Sequence, residues 1–267
     1  MTREQKVSTL IQYLKQENQG YASIPDPIDE GEQRRLLRSL MNVRYPGHAS
    51  AEYEKLQDEL LQEEAEEKGI VTCNDIPVIE QEYPCSEIKN SDRISLWRGD
   101  ITRLGVDAIV NAANSQLLGC FVPCHGCIDN AIHTFAGVEL RLACAELMRQ
   151  QGYPEPTGQA KITPAFNLPC RYVLHTVGPI INGRVTKADE ELLASCYRSC
   201  LELAAENNLE SVAFCCISTG EFHFPNELAA EIAIETVKEF LKKQTSVKKV
   251  IFNVFKDLDK AIYEKLL

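Results

Sequence analysis

The sequence predicts an α/β protein in which helices cover both faces of a central sheet. Three observations predict this class. After about residue 90, short apolar runs rich in β-branched residues alternate with longer runs of helical periodicity. Before residue 90 the periodicity is helical alone. Polar and glycine-containing loops follow two of the apolar runs, where sheets of this class bind ligands. We therefore predict an N-terminal helical extension with a connector, residues 1–90, and a second unit, residues 91–267.

The N-terminal extension carries three amphipathic runs. The first begins after a Thr2/Gln5 capping pair. The apolar positions of the three runs are Val7, Leu10, Ile11 and Leu14, then Leu36, Leu37, Leu40 and Met41, then Tyr53, Leu56, Leu60 and Leu61. The stretch from 71 to 90 is irregular and contains prolines, which is typical of a connector.

The second unit alternates strands and helices. The predicted strands are "ISLWRGDI", "VDAIVNAAN", "RYVLHTVGP", "SVAFCCIS" and "VIFNVF". The predicted helices span residues 127–149, 188–207 and 226–243, and a last one begins at 258. Short strands between helices of this length predict a buried, layered sheet.

Charge and cysteine content limit the function. A net charge of -11 over 267 residues leaves no general basic face, so we expect no nucleic-acid partner and a phosphate ligand held locally. No apolar run is typical of a signal peptide or a membrane span. The 11 cysteines, an odd number, favour reduced thiols rather than a disulfide framework. We therefore expect a cytoplasmic protein.

The loop after "VDAIVNAAN" holds two kinds of polar group. Asn111 and Asn114 stand where the strand ends, where amides can bind a polar ligand such as a ribose diol, although asparagine is also common in turns. The following stretch, "GCFVPCHGC", holds four thiol or imidazole side chains, the ligands that zinc prefers in a reducing cell. The residues are Cys120, Cys124, His125 and Cys127.

Several interpretations of this cysteine loop remain open. Four ligands form a closed structural zinc site, whereas three leave a position open for water or substrate. The set Cys120, His125 and Cys127 is easier to assemble, because the adjacent Cys124 points another way in an extended chain. Alternatively, the cysteines are small core residues, or Cys124 and Cys127 form a redox element. His133 is expected on the helix that follows.

Two further features belong to this edge of the sheet. Asp129 falls in the first turn of the predicted helix, either as a helix-start carboxylate or as a group that activates water beside a metal. The second loop passes through Ser218, Thr219 and Gly220 into a helix that begins near Pro225. Its backbone amides and the helix N-terminus favour a diphosphate there.

Four motifs together resemble a macrodomain, the module that binds ADP-ribose: "WRGDITRLGVDAIVNAANSQL", "IDNAIHTFAG", "YVLHTVGP" and "ISTGEFHFP". The resemblance covers residues 91–267 and implies a three-layer α/β/α fold with a mixed central sheet. Most macrodomains have a glycine-rich stretch in place of "GCFVPCHGC". This departure, with the helical extension, is similar to the zinc-dependent macrodomains linked to sirtuin-type ADP-ribosyltransferases in some microbes.

The resemblance implies a role for each matching residue. Asp100 and Ile101 meet the adenine, while Asn114 and Phe222 contact the distal ribose. The residues that line the diphosphate with their backbone amides are Ser218, Thr219, Gly220 and Glu221. A charge at Glu221 and at His223 departs from many macrodomains, and His223 is either exposed or an additional metal ligand.

The resemblance also implies an activity. Cys120, His125 and Cys127 bind Zn²⁺, and Asp129 acts with Asn114 in catalysis, as the acidic residue that hydrolytic macrodomains place after their first loop. Such enzymes release ADP-ribose from modified protein carboxylates, including those of a lipoyl-carrier-type protein, and a sirtuin-type ADP-ribosyltransferase is the implied functional partner. The alternative is a non-catalytic reader of ADP-ribose with a structural zinc site.

Overall fold

The computed structural model describes residues 1–83 and 88–267. Part of the predicted connector, residues 84–87, lies outside the described residues. The helices before it are α1 (Arg3–Glu17), α2 (Glu30–Val43), α3 (Ala51–Lys68) and α4 (Ile79–Glu82). The predicted capping pair is confirmed, because Thr2 and Gln5 each accept a hydrogen bond from the backbone of the other. The apolar faces of α1, α2 and α3 form a buried cluster of their own, which Val138 of the second unit joins.

The second unit contains the remaining elements. A short strand, β1 (Val71–Thr72), lies before it in the predicted connector. The strands of the second unit are β2 (Ile94–Arg98), β3 (Leu104–Gly105), β4 (Ala108–Ala112), β5 (Ala160–Pro164), β6 (Tyr172–Thr176), β7 (Ser211–Phe214) and β8 (Lys249–Val254). Its helices are α5 (Ile128–Ala136), α6 (Val138–Gln151), α7 (Lys187–Glu206), α8 (Asn226–Phe240) and α9 (Asp257–Leu266). The division of the chain at residue 90 stays a prediction.

The central sheet has the order β2, β8, β7, β4, β6, β5 within the described residues. Neighbouring strands are parallel except for β5, which pairs antiparallel with β6 at one edge. The mixed sheet of a three-layer α/β/α fold is thereby confirmed. Strand residues such as Ile109, Val173 and Ile251 are fully buried, as expected where helices cover both faces. Because β2, β4, β6, β7 and β8 are parallel, their carboxyl ends meet at one edge of the sheet.

One predicted helix is wrong in detail. The span 127–149 forms two helices, α5 and α6, which are separated at Gly137 with a φ of 98°. A Cβ at this position would lie 2.5 Å from Nε2 of Gln57 and 2.8 Å from Oε2 of Glu139, so both the positive φ and the close neighbours favour glycine at the break. The helical periodicity continues across the break, which explains why the sequence predicted a single helix.

Strand β5 was not predicted. It lies at the edge of the sheet, and of its five residues only Thr163 is buried. An edge strand of this kind lacks the continuous apolar run that marked the buried strands, and it ends at Pro164, which is tolerated only at such positions.

The N-terminal helices pack on α5 and α6. Gln57 of α3 accepts a hydrogen bond of 3.0 Å from the Val138 amide and donates one of 2.8 Å to Glu139. Arg141 of α6 donates to the backbone oxygens of Met41 and Asn42, at the carboxyl end of α2. The extension is therefore docked beside the loop that precedes α5. Among the helices of the described ranges, none combines the length and the apolar character that crossing a bilayer demands.

Candidate functional site

The candidate site lies beyond the carboxyl ends of the parallel strands. Asp100 follows β2, Asn114 follows β4, and Ser218 follows β7. The parallel pairing brings the loops that carry these residues to one edge of the sheet. This is the edge at which open α/β sheets bind their ligands.

Asp129 is the buried carboxylate of the site. It lies in the first turn of α5 with only 5% of its surface exposed. Its Oδ1 accepts a hydrogen bond of 2.8 Å from the side-chain amide of Asn111, and its Oδ2 lies 3.5 Å from the side-chain nitrogen Nδ2 of Asn114. Burial raises the pKa of Asp129 to about 6, although the Asn111 hydrogen bond and the charge of Arg141 oppose the rise. The carboxylate is oriented by two amides and lies beside the ligand edge.

A buried polar chain supports this carboxylate from behind. Asn111 Nδ2 also lies 3.2 Å from His175 Nδ1, and His175 Nε2 lies 2.9 Å from the Thr163 hydroxyl. Burial lowers the pKa of His175 to about 3, so the imidazole is neutral. Asn111 is therefore a supporting residue in the core rather than a ligand contact. His175 was not among the residues predicted for the site, although a histidine inside the apolar run "YVLHT" was a visible signal.

The cysteine loop brings three of its four candidate ligands together. One ligand atom each from Cys120, His125 and Cys127 lies within 4.8 Å of the other two. Cys124 is not in this group, because its Sγ lies 3.2 Å from the Ser39 hydroxyl and 3.4 Å from the Arg35 carbonyl oxygen, both in α2. The geometry favours the three-ligand set over the four-ligand one.

Other expected partners of this loop are placed apart from the three-ligand group. His223 is exposed and stands outside the groups of possible ligands found in the described ranges. His133 lies on α5 as expected and is buried. The cysteines of residues 1–83 and 88–267 are free thiols, so Cys124 and Cys127 form no disulfide.

The three-ligand group has the chemistry of a zinc site. Two thiols and an imidazole are donors that zinc prefers. Burial, with the neighbouring Cys120 and Asp129, raises the pKa of Cys127 to about 12, so a nearby cation is needed to stabilise its thiolate. His125 Nδ1 is buried and has no hydrogen-bond partner in the described chain, whereas its Nε2 lies 3.7 Å from Glu221 Oε1. The residues therefore fit a metal ion whose histidine ligand faces a carboxylate on the opposite loop.

The loop after β7 offers free amides. Of the four amides expected to line the diphosphate, that of Thr219 donates to the Cys216 oxygen at 3.5 Å, whereas those of Ser218, Gly220 and Glu221, and also that of Phe222, donate to no other atom of the described chain. The loop is fixed from both sides: the Phe224 amide donates to the Ser218 oxygen, and the Ile181 amide donates to the Phe222 oxygen, each at 2.9 Å. Consecutive amides held in this way can bind a diphosphate.

Ser218 and its neighbours on this loop differ in how deeply they are buried. Ser218 is buried and adopts a φ of 64°, whereas Thr219 and Phe222 are half-buried. A Cβ on Gly178, after β6, would lie 1.9 Å from the Ser218 hydroxyl oxygen. The glycine thus permits the second loop to approach the end of β6.

The expected adenine side lies at the end of β2. Asp100 is half-buried, and its Oδ1 accepts from the Thr102 amide and hydroxyl, at 3.0 and 2.6 Å. The Ile101 side chain is only 1% exposed and belongs to the core, which leaves its backbone for a ligand. Phe255, which the sequence analysis overlooked, is 72% exposed directly after β8. Its neighbour Val254 accepts a hydrogen bond from the Gly99 amide, so the backbone at Phe255 runs beside the backbone at Asp100. An aromatic residue at a strand end was the available signal.

Comparisons with known proteins agree with this geometry. The family described as Macro domain matches residues 110–233. A protein named protein-ADP-ribose hydrolase from Treponema medium is 56% identical over 267 residues, which is 100% of both chains. One of the same name from Staphylococcus aureus (strain MSSA476) is 49% identical over 231 residues, or 86% of this chain and 83% of the relative. Among solved structures, a Trypanosoma brucei macrodomain in complex with ADP-ribose is similar, with a TM-score of 0.65 and 31% sequence identity. The match covers 86% of this chain and 94% of the Trypanosoma chain.

Proposed function

The chain belongs to the macrodomain family, and from this membership we propose that it is a hydrolase that releases ADP-ribose from ADP-ribosylated protein. Its full-length similarity to a protein-ADP-ribose hydrolase supports the enzyme class and the substrate class. The observation in this molecule that carries the proposal is the buried Asp129 carboxylate, oriented by Asn111 and Asn114 at the ligand edge.

Binding of the ADP-ribosyl group uses three parts of the edge. The free amides of Gly220, Glu221 and Phe222 hold the diphosphate, which suits a chain whose net charge of -11 offers no basic surface. Asp100 accepts a hydrogen bond from the exocyclic amine of adenine through its free Oδ2. Phe255 stacks on the base. The distal ribose then lies between the two loops, beside Asn114 and Phe222.

The proposed reaction is hydrolysis at the anomeric carbon of the distal ribose. Water forms a bond to this carbon, and the bond from the carbon to the oxygen of the modified side chain breaks. The bond electrons leave with the side-chain oxygen, which regenerates a carboxylate when the modified residue is acidic. Asp129 orients the attacking water and accepts its proton. Asn111 keeps the carboxylate in place during this step.

We propose further that Cys120, His125 and Cys127 hold Zn²⁺ as three ligands, and that Cys124 does not take part. A zinc ion bound by three protein ligands supplies Lewis acidity toward oxygen atoms of substrate and water. Glu221 faces His125, with Oε1 at 3.7 Å from Nε2, as a carboxylate often does beside a histidine that binds a metal ion. The three ligands begin directly after the loop that carries Asn114, so the metal and the carboxylate serve the same end of the substrate.

The finer substrate assignment follows from the sequence resemblance. We propose that the modified residues are acidic side chains, that a lipoyl-carrier-type protein is among the substrates, and that a sirtuin-type ADP-ribosyltransferase installs the modification. Comparing release from proteins ADP-ribosylated on glutamate and on arginine tests the first of these assignments. Equal rates on both would overturn it.

The test of the function compares wild type with Asp129→Asn, a substitution that keeps the size of the side chain. Release of ADP-ribose from a protein modified on carboxylates is measured together with the affinity for free ADP-ribose. We expect turnover to fall by about 100-fold or more while the affinity changes by less than about fivefold. Full turnover by Asp129→Asn would remove Asp129 from the mechanism. Binding without turnover by wild type would identify a reader instead.

A further inference from the structure

Helix α2 of the N-terminal extension contacts the middle of the cysteine loop, at Cys124. The Cys124 amide donates a hydrogen bond of 2.9 Å to Asn42 Oδ1, and Cys124 Sγ contacts Ser39 and the Arg35 carbonyl. Cys124 adopts a φ of 53°, which is unfavourable for a residue that has a Cβ. This backbone conformation persists because contacts from α2 fix it. The loop shape thus depends on the extension.

A second contact connects α2 to every candidate metal ligand. The Arg38 guanidinium donates to Asn130 Oδ1 through Nε and Nη2, at 3.2 and 2.7 Å, and to the His125 oxygen at 3.2 Å. Asn130 is fully buried. Its backbone amide donates to Cys127 Sγ at 3.4 Å, and its side-chain amide lies 3.5 Å from the Cys120 oxygen.

The Asn130 side chain also donates a hydrogen bond of 3.0 Å to the Val122 oxygen, in the middle of the loop. One arginine from α2 therefore orients the Asn130 side chain, which holds the first half of the loop, while the backbone amide of the same residue bonds to Cys127 at the end of the loop. Removing Arg38 would leave Asn130 Oδ1 without its charged donor and release the backbone of His125. The Arg38 side chain bonds to Asn130 and to the His125 backbone, so its effect passes through the shape of the loop.

We propose that Arg38 and Asn130 are positioning residues that preorganise Cys120, His125 and Cys127 for the metal ion. This inference rests on the proposed zinc site and adds a role for the N-terminal extension. Ligands held close together before the cation arrives lose less conformational freedom on binding, so affinity rises. Residues that orient metal ligands typically contribute 10- to 100-fold in metal affinity.

The sign of the effect separates positioning from simple electrostatics. Arg38 is a cation near a site for another cation, so on charge alone its removal would strengthen zinc binding. If Arg38 positions the ligands, its removal weakens zinc binding instead. Arg35 provides a matched control, since it is an exposed arginine on the same helix whose side chain makes no hydrogen bond or ion pair within the described ranges. Arg38→Lys retains the charge but loses the two-atom contact with Asn130.

The experiment measures zinc affinity of the full-length protein by competition with a chromophoric chelator. We expect Arg38→Ala to bind zinc about 10- to 100-fold more weakly than wild type, Arg38→Lys to be weakened also, and Arg35→Ala to stay within about twofold. Wild-type affinity in Arg38→Ala, or a loss of equal size in Arg35→Ala, would overturn the proposal. If Arg38→Ala does not fold, as judged by thermal unfolding, Arg38→Lys decides.

Amide hydrogen exchange of the metal-free protein tests the same idea without zinc. We expect the amides of residues 119–127 to exchange faster in Arg38→Ala than in wild type, and no change in Arg35→Ala. A wild-type protein that hydrolyses substrate but binds no zinc would contradict the proposed role of the metal. In that case the positioning role of Arg38 would fall with the metal site, whereas the hydrolase function would stand.

Discussion

The side-chain amide of Asn111 donates a hydrogen bond of 2.8 Å to the buried carboxylate of Asp129. Asn111 comes from β4 and Asp129 from the first turn of α5, so the central sheet itself orients the candidate catalytic group. The same asparagine contacts His175, which the Thr163 hydroxyl fixes at its other nitrogen. The carboxylate therefore has its position determined by the core rather than by a surface loop.

The first prediction concerns Asn111. Asn111→Ala removes this donor, and we expect turnover to fall by about tenfold or more because Asp129 loses its orientation. The free energy of unfolding should decrease by about 1–3 kcal/mol, as for other lost buried hydrogen bonds. Asn167→Ala is a suitable control, since Asn167 is also buried and hydrogen-bonded but lies away from the carboxylate. Equal turnover in both variants would show that Asn111 has no special role.

The second prediction concerns the approach of the diphosphate loop to β6. In Gly178→Ala the new methyl group meets the Ser218 hydroxyl oxygen at 1.9 Å and a methyl of Ile217 at 2.9 Å, so the loop must move. We expect the affinity for ADP-ribose to fall by about tenfold or more, measured by calorimetry. Gly47→Ala, where nothing lies within 4 Å, should bind as wild type does. Undiminished binding by Gly178→Ala would place the diphosphate elsewhere.

The third prediction concerns the exposed aromatic ring of Phe255. If adenine stacks there, Phe255→Ala should weaken ADP-ribose binding by about tenfold, the size expected for one stacked base. Phe166→Ala serves as the control, because Phe166 is also exposed but lies between β5 and β6, at the opposite edge of the sheet. Competition by AMP provides a second measurement. If Phe255→Ala and Phe166→Ala bind ADP-ribose equally well, the base does not stack on Phe255.

The fourth prediction concerns acid sensitivity. Burial lowers the pKa of His175 to about 3 and that of His133 well below its usual range. Unfolded imidazoles have a pKa near 6.5, so below that pH the unfolded chain binds more protons than the folded one. The free energy of unfolding should therefore decrease as the pH is lowered, by about 0.8 kcal/mol in total for each histidine between pH 7.5 and 6, because the unfolded imidazole is only partly protonated in this range.

Denaturant unfolding between pH 7.5 and 6 measures this slope. Below pH 6 the raised pKa of Asp129 acts in the opposite direction, because there the folded state binds the extra proton. His175→Gln has no imidazole at this position and should show a shallower slope than wild type. Identical slopes would mean that His175 does not contribute to acid sensitivity.

Much of this fold was predictable from local patterns. The strands β2, β4, β6, β7 and β8 carry continuous apolar runs, and the capping pair at Thr2 and Gln5 identified the start of α1. The break at Gly137 was missed because the helical periodicity continues across it, although a glycine inside a helical run is a local sign of a possible break. Strand β5 was hidden by its position at the edge of the sheet.

Part of the candidate site was likewise predictable from the sequence, and part was not. Its loops were recognisable because their residues are contiguous: the cysteine loop, Asp129 in a helix start, and the amides after Ser218. The supporting residues were not, since Arg38 and His175 act through contacts with distant segments. The contact between Glu221 and His125 likewise joins two loops that are far apart in sequence. Spacing along the chain carries no information about such pairs.

The most direct test of the account measures zinc content and ADP-ribose release together in three proteins: wild type, Cys127→Ser and Cys124→Ser. We predict that wild type and Cys124→Ser retain one zinc ion per chain and turnover within about threefold of each other. Cys127→Ser should lose the metal and at least about 100-fold in turnover while it stays folded and binds ADP-ribose. Full turnover by a folded, zinc-free Cys127→Ser would contradict a catalytic metal site in this loop.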